Sequence, residues 1–270
     1  MTDWLATCRL CVADIHEALE RLPTRVEREP VLQLGKGGDD TTAIDQAAED
    51  AVVARLSELG EDFVLVSEEL GERMFGAGGR RHVVVDPIDG SVNAKRGIPF
   101  FSFSLAVADG PTMGDVFFGY VYDFGTGEEW TAGRDQGAFL GGAPLGAVGP
   151  KDPIEIVAFE GTTTKSVTQR IPGMIGIADR VRVMGSLALA LPSRRWTRGC
   201  GLLSQGDPLR GHRGRPAAAA RARDRDRALR RSAVRLCATR SRHTLAGSGG
   251  CVARACGRSR RSTSLGTLAS

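Results

Sequence analysis

The chain has 270 residues, 41% of them hydrophobic and 25% charged, with a formal net charge of +4. Those averages suit one large or two modest soluble domains, and no apolar run approaches the roughly 18 to 20 residues that a membrane-spanning helix needs. They conceal a division: residues 1–191 carry 17 Lys and Arg against 29 Asp and Glu, whereas residues 192–270 carry 19 Arg against 3 Asp and contain no Lys, Glu, Ile, Phe, Tyr, Asn or Met.

Asp3 and Asp14 stand where a signal peptide would show a basic start and an uncharged apolar run, so a cytoplasmic protein with no membrane partner is expected. Leu5, Leu10, Val12, Ile15, Ala18 and Leu19 recur at helical spacing and predict an amphipathic helix from Trp4 to about Leu22. Cys8-x-x-Cys11 lies within it. No second Cys/His pair at ligand spacing follows in the patterned part of the chain, which favours two small apolar helix residues over half a zinc site. Gly35-Lys36-Gly37-Gly38 lacks the residue order of a nucleotide-binding loop.

A second helix is predicted from about Thr42 to Leu59, with Ile44, Ala47, Ala48, Val52, Val53 and Leu56 on one side and Asp40 available as its cap. Strands are predicted at Phe63–Val66, His82–Val85, Phe101–Ala108, Asp115–Tyr122, Glu128–Thr131, Gly137–Leu140, Ile154–Phe159 and Val181–Met184. Gly185-Ser186 opens a final helix that reaches Leu191, where the pattern stops. Helices mixed with glycine-punctuated meanders argue for an α+β layered domain.

Both valine-rich runs lead into carboxylates. After Val83-Val84-Val85 comes Asp86-Pro87-Ile88-Asp89-Gly90-Ser91, in which Pro87 fixes the turn and Gly90 permits tight backbone geometry. Two carboxylates and the Ile88 carbonyl at a strand's end form an oxygen donor set of the kind Mg²⁺ prefers. Ser67-Glu68-Glu69 ends the preceding strand, and Asp40-Thr41-Thr42-Ala43-Ile44-Asp45 opens the second helix. Like charges brought close at three element ends cost free energy unless a cation compensates them.

These residues carry a resemblance. Lys36, Asp40-x-Thr42-x-x-Asp45, Ser67-Glu68-Glu69, Asp86-Pro87-Ile88-Asp89-Gly90-Ser91-x-Asn93, Arg96-Gly97-Ile98-Pro99, Ser104-Leu105-Ala106 and Gly185-Ser186 occur in the order seen in the inositol monophosphatase family, which residues 1–191 resemble. The resemblance implies a layered αβαβα sandwich, often dimeric. It also implies Mg²⁺-dependent hydrolysis of a small phosphorylated polyol, sugar or nucleotide. It assigns Glu68, Asp86, the Ile88 carbonyl and Asp89 to metal binding. Glu68 with Ser91, which replaces the usual Thr, would orient the attacking water, and Asp45 and Lys36 would support it. Gly90, Ser91, Gly185 and Ser186 would meet the phosphate.

The family requires one more acidic ligand, in a helix-opening motif that ends in Asp-x-Ala-Ala. No such motif follows Gly185-Ser186; Asp207, Asp224 and Asp226 lie beside Pro or between arginines. Back-translation accounts for the loss. With each codon read one base later, Trp196-Thr197 must become Gly within a permitted Ala-Asp-Gly-Arg-x-Asp. Gln205-Gly206 becomes Lys or Arg, and Leu209 to Pro216 permits Ser-Val-Asp-Ile-Ala-Ala-Ala; the other shift cannot encode Asp across Gly211-His212. Residues 192–270 therefore read as a frameshifted or disordered tail that leaves the fold incomplete and the phosphatase impaired. The competing reading is a non-catalytic product, or a genuine Arg-rich tail that binds nucleic acid through phosphate contacts.

Overall fold

Asp3 starts the first helix by accepting the Ala6 N–H on its side chain, and α1 (Trp4–Glu20) then buries Trp4, Cys8, Cys11, Val12, Ile15, Ala18 and Leu19 along one stripe. Both cysteines are free and buried, as small apolar helix residues are expected to be. The computed structural model describes residues 2–35, 40–146, 154–160, 163–176, 178–190 and 202–204. Lys36 and all of the tail except residues 202–204 lie outside them.

A short helix α2 (Arg25–Arg28) leads to a ribbon of β1 (Val31–Leu34) and β2 (Asp40–Thr42), which pair antiparallel. β2 runs directly into α3 (Ala43–Ser57). The cap of α3 is Thr42, not Asp40: the Thr42 N–H and hydroxyl both donate to Asp45 Oδ2, a capping box in which Asp takes the usual place of Glu. Asp40 lies two residues upstream, exposed in β2.

Next come β3 (Phe63–Ser67), β4 (Gly71–Phe75), β5 (His82–Asp89) and a six-residue helix α4 (Ser91–Arg96). The meander β6 (Ser102–Ala108), β7 (Val116–Asp123), β8 (Glu129–Gly133), β9 (Gly137–Leu140) and β10 (Ala143–Pro144) follows. These strands form one eight-stranded sheet in the order β10-β9-β8-β7-β6-β5-β3-β4. Every neighbouring pair is antiparallel except β3 and β5, which run parallel. Beyond it β11 (Ile154–Glu160), α5 (Thr164–Arg170), β12 (Ala178–Arg182), α6 (Leu187–Ala190) and β13 (Leu202–Ser204) contribute a three-stranded parallel sheet ordered β12-β11-β13. β12 ends at Arg182 and not at the expected Met184, because its pairing with β11 begins three residues earlier, at Ala178 opposite Ile154.

The period-two alternation of the large sheet divides its core. Phe63, Leu65, Val83, Val85, Phe103, Leu105, Val107 and Tyr120 face α1 and α3. Val66, Val84, Ala106 and Ala108 face the other way, and nearby Val121, Trp130, Ala132 and Ala138 pack against Ala188 and Leu189 of α6. A helix layer, the large sheet, and then α6 with the small sheet give the layered α+β arrangement that the sequence predicts. None of the described helices is long and apolar enough to cross a membrane.

Candidate active site

Two parallel strands end side by side at the acidic residues. Ser67 of β3 is in register with Val85 of β5, so the next residues along each chain, Glu68 just past β3 and Asp86 still within β5, stand side by side. Strand alternation turns Ser67 toward α3 and Glu68 toward the opposite face.

A bulge then brings Asp89 to that same face. Asp86 pairs with Ser104 and Asp89 with Ser102, so three steps along β5 match two along β6. A regular strand would point residues three apart in opposite directions; the extra residue restores the parity and aims both aspartates to one side. Pro87, which has no N–H to offer the ladder, sits inside this irregularity, where proline is tolerated. Ser102 and Ser104 are buried beneath the two aspartates.

The segment from 184 to 188 closes over Asp89. Ser186, fully buried, donates its hydroxyl to Asp89 Oδ2 at 2.6 Å, and the Ala188 N–H donates to the same oxygen at 2.6 Å. The Ser186 oxygen accepts from the Leu189 N–H at 3.3 Å and lies 3.2 Å from the Ser102 hydroxyl. Asn93 of α4 clips the same segment by donating to the Met184 carbonyl at 2.7 Å and to Phe100 at 2.8 Å. Gly90 is left-handed at φ 96°, and a Cβ there would stand 3.1 Å from the Gly185 carbonyl oxygen. Glycine is thus required at position 90 both by backbone conformation and by close approach.

Asp89 keeps some residue surface, yet its carboxylate is enclosed by protein. Burial pushes its pKa up to about 6, against the downward pull of the Ser186 hydroxyl and the Ala188 and Leu187 N–H groups, and the nearby negative charge of Glu68 adds to the rise. Ser91 opens α4 and is half-buried. Asp45, 7% exposed, commits Oδ2 to its capping box on the α3 side.

The donor set fits a hard cation in its chemistry, since Glu68, Asp86, Asp89 and the Ile88 carbonyl offer only oxygens, and the negative charge of Glu68 opposes ionisation of Asp89. Among the described residues no group of three or more His, Cys, Asp or Glu side chains is arranged to hold a metal ion. Of the site residues read from the sequence, Glu68, Asp86, Ile88, Asp89, Gly90 and Ser91 follow one another at the ends of β3 and β5, with Gly185 and Ser186 against them; Asp45 lies on the α3 side, and Lys36 lies outside the described residues. Sequence reading missed Glu49 of α3, 1% exposed, which accepts the Ser67 hydroxyl on Oε1. Its signal is its place one turn after Asp45, between the buried Ala48 and Val52.

Known proteins resemble this chain in sequence and in fold. A fructose-1,6-bisphosphatase/inositol-1-monophosphatase of Methanothermobacter thermautotrophicus is 31% identical over 200 residues, covering 70% of each chain. A protein of the same name from Archaeoglobus fulgidus is 39% identical over 140 residues, and here the match spans about half of each protein, 52% of this chain and 53% of the relative. The crystal structure of the extragenic suppressor protein SuhB from Bartonella henselae superposes with a TM-score of 0.62 at 23% identity, covering 74% of this chain and 78% of that one, a likeness of fold. Residues 8–193 match the model of the inositol monophosphatase family. The chain therefore belongs to the inositol monophosphatase family, a family of phosphatases that generally depend on a metal ion.

Proposed function

We propose that residues 1–191 are the phosphatase part of the chain, built to hydrolyse a small phosphorylated polyol or sugar with Mg²⁺, and that residues 192–270 are read out of frame. The observation that carries the activity is the enclosed Asp89 carboxylate with Glu68 beside it at the ends of two parallel strands, an oxygen cluster that a divalent cation would relieve. Glu68, Asp86, the Ile88 carbonyl and Asp89 would hold the ion. When bound, it supplies charge neutralisation for the phosphate and a more acidic water. Glu68 and the Ser91 hydroxyl orient the attacking water, with Asp45 and Lys36 supporting it. Gly90, Ser91, Gly185 and Ser186 border the phosphate, with the Ser186 hydroxyl spent on Asp89. The names of the archaeal relatives favour inositol phosphate or fructose bisphosphate as first substrates to try.

Two observations support the division at residue 191. The family match ends at residue 193, and the acidic-to-basic change in composition falls at the same place. The part beyond would supply the remaining acidic ligand in the shifted frame, at the Asp that Gly211-His212 permits.

The test compares the chain as it stands, a version with the reading frame restored, and Asp86→Asn in each, assayed for phosphate release with and without Mg²⁺. The chain as it stands is expected to be slower than the restored version by orders of magnitude, and Asp86→Asn to abolish what remains. Equal Mg²⁺-dependent rates in the first two would refute the impairment; no activity in the restored version would refute the phosphatase reading. Sequencing the DNA across codons 191–216 decides the frame directly. If the frame is intact, the Arg-rich segment becomes a nucleic-acid-binding tail, with affinity that falls steeply as salt rises.

A further inference from the structure

The turn that carries Glu68 is fastened on both sides to a single unit of the fold. Ser67, fully buried, donates its hydroxyl to Glu49 Oε1 on α3. Glu69, on the other side of Glu68, accepts the hydroxyl of the fully buried Thr41 on Oε2. Thr41 belongs to β2 and Glu49 to α3, and β2 continues into α3 without a break, its junction held by the Thr42–Asp45 capping box. The hairpin itself adds a third restraint, since Ser67 pairs with Gly71 across the turn.

We propose that Thr41 and Glu49 are positioning residues that hold the peptide of Glu68 over Asp86; the inference rests on the metal-dependent phosphatase reading above. Two tethers, one to each neighbour of Glu68, fix the direction in which its side chain leaves the backbone more tightly than either could alone. The arrangement also assigns a role to Glu49, 1% exposed between the buried Ala48 and Val52 of α3. A carboxylate buried among alanine and valine is costly, and its hydrogen bond to Ser67 is a contact that an apolar residue cannot make. Groups that orient a ligand without touching the ion typically change metal affinity about 10- to 100-fold when removed.

The experiment uses the full chain with Thr41→Val, Ser67→Ala, Thr41→Ser and Glu68→Gln. Hydrogen exchange of the metal-free protein is expected to speed up at least tenfold across residues 68–71 in Thr41→Val and Ser67→Ala, with residues 63–66 unchanged and Thr41→Ser close to the parent. Titration with Mn²⁺ alone is expected to show affinity lowered about tenfold or more by Thr41→Val, restored in Thr41→Ser, and not lowered further by Thr41→Val when Glu68 is already Gln. Unchanged exchange overturns the tethers. Faster exchange with unaltered Mn²⁺ affinity, where Glu68→Gln does weaken binding, overturns their role in positioning. Faster exchange together with no effect of Glu68→Gln on Mn²⁺ binding refutes the metal site itself and, with it, the role proposed for both residues.

Discussion

Ser186 joins parts of the chain that are 97 residues apart, and the strength of that joint is measurable. Replacing Ser186 by Ala deletes the 2.6 Å hydrogen bond to Asp89 Oδ2 and the acceptor that caps the Leu189 N–H at the start of α6. A hydrogen bond to a buried charged group contributes about 1.5–3 kcal/mol and a helix cap about 1 kcal/mol, so the variant should lose about 2–4 kcal/mol. The share due to Asp89 is isolated by a double-mutant cycle with Asp89→Asn, in which the coupling should be about 1.5–3 kcal/mol at pH 8. It should shrink at pH 5. With the Asp89 pKa pushed up to about 6, Ser186 meets a carboxylate at the higher pH and largely a carboxylic acid at the lower. Urea denaturation in the presence of a chelator gives the four stabilities at each pH. A coupling below about 0.5 kcal/mol at pH 8, or one that does not change between the two pH values, would refute the argument that Ser186 stabilises the charged form of Asp89.

Other expectations follow from the same structure. Gly90→Ala forces a side chain into a left-handed backbone conformation 3.1 Å from the Gly185 carbonyl; a loss of about 1–3 kcal/mol in thermal or urea denaturation is expected, and a neutral substitution would contradict it. The Cys11 thiol, pushed up to about 12 chiefly by burial, and the buried Cys8 should react with a thiol reagent only as fast as the protein unfolds, which labelling followed by peptide mass analysis can time. Glu129 is held below the usual carboxylate range first by the hydrogen bond from Arg9 and then by that from Tyr120. Its contribution to stability is therefore complete above its unfolded value and lost as pH falls through the lower folded one. Arg9→Gln should flatten the acid side of the stability curve in that window while changing stability at pH 7 only modestly, because Arg9 is largely exposed.

The parts of the fold that could be read in advance are those where burial forces a pattern. β3 and β5 are enclosed on both faces and so appear as unbroken apolar runs, and α1 and α3 show their stripes at helical spacing. The β1–β2 ribbon gave no such sign, since all four residues of β1 are exposed, and neither did the edge strand β4 with its three exposed central residues. The sequence offers Asp40 as the cap of α3 although Thr42-x-x-Asp45 is itself a capping signature; Asp40 is a good cap residue in general but sits two residues too early. At the site, the carboxylates were evident from their places after the valine runs. The bulge that turns Asp86 and Asp89 to one face was not, because it is a property of pairing with β6 and leaves only Pro87 as a trace in the sequence. Glu49 escaped because a single charged residue within a helical stripe resembles the edge of its solvated face.

The outer strands of the two sheets carry a consequence for how the protein behaves in concentrated solution. The large sheet ends on one side at β10, two residues that finish in Pro144, and on the other at β4, whose centre is Glu72 and Arg73. Both are poor templates for a further strand, one because proline offers no N–H and the other because it presents charge. The described part of the small sheet is bounded by β12, with Asp179, Arg180 and Arg182, and by β13, which is Leu202-Leu203-Ser204. Self-association through added strands would therefore start at β13, in the region where the composition has already changed. Charge placed at Leu203 should suppress that association and leave Glu68, Asp86 and Asp89 untouched.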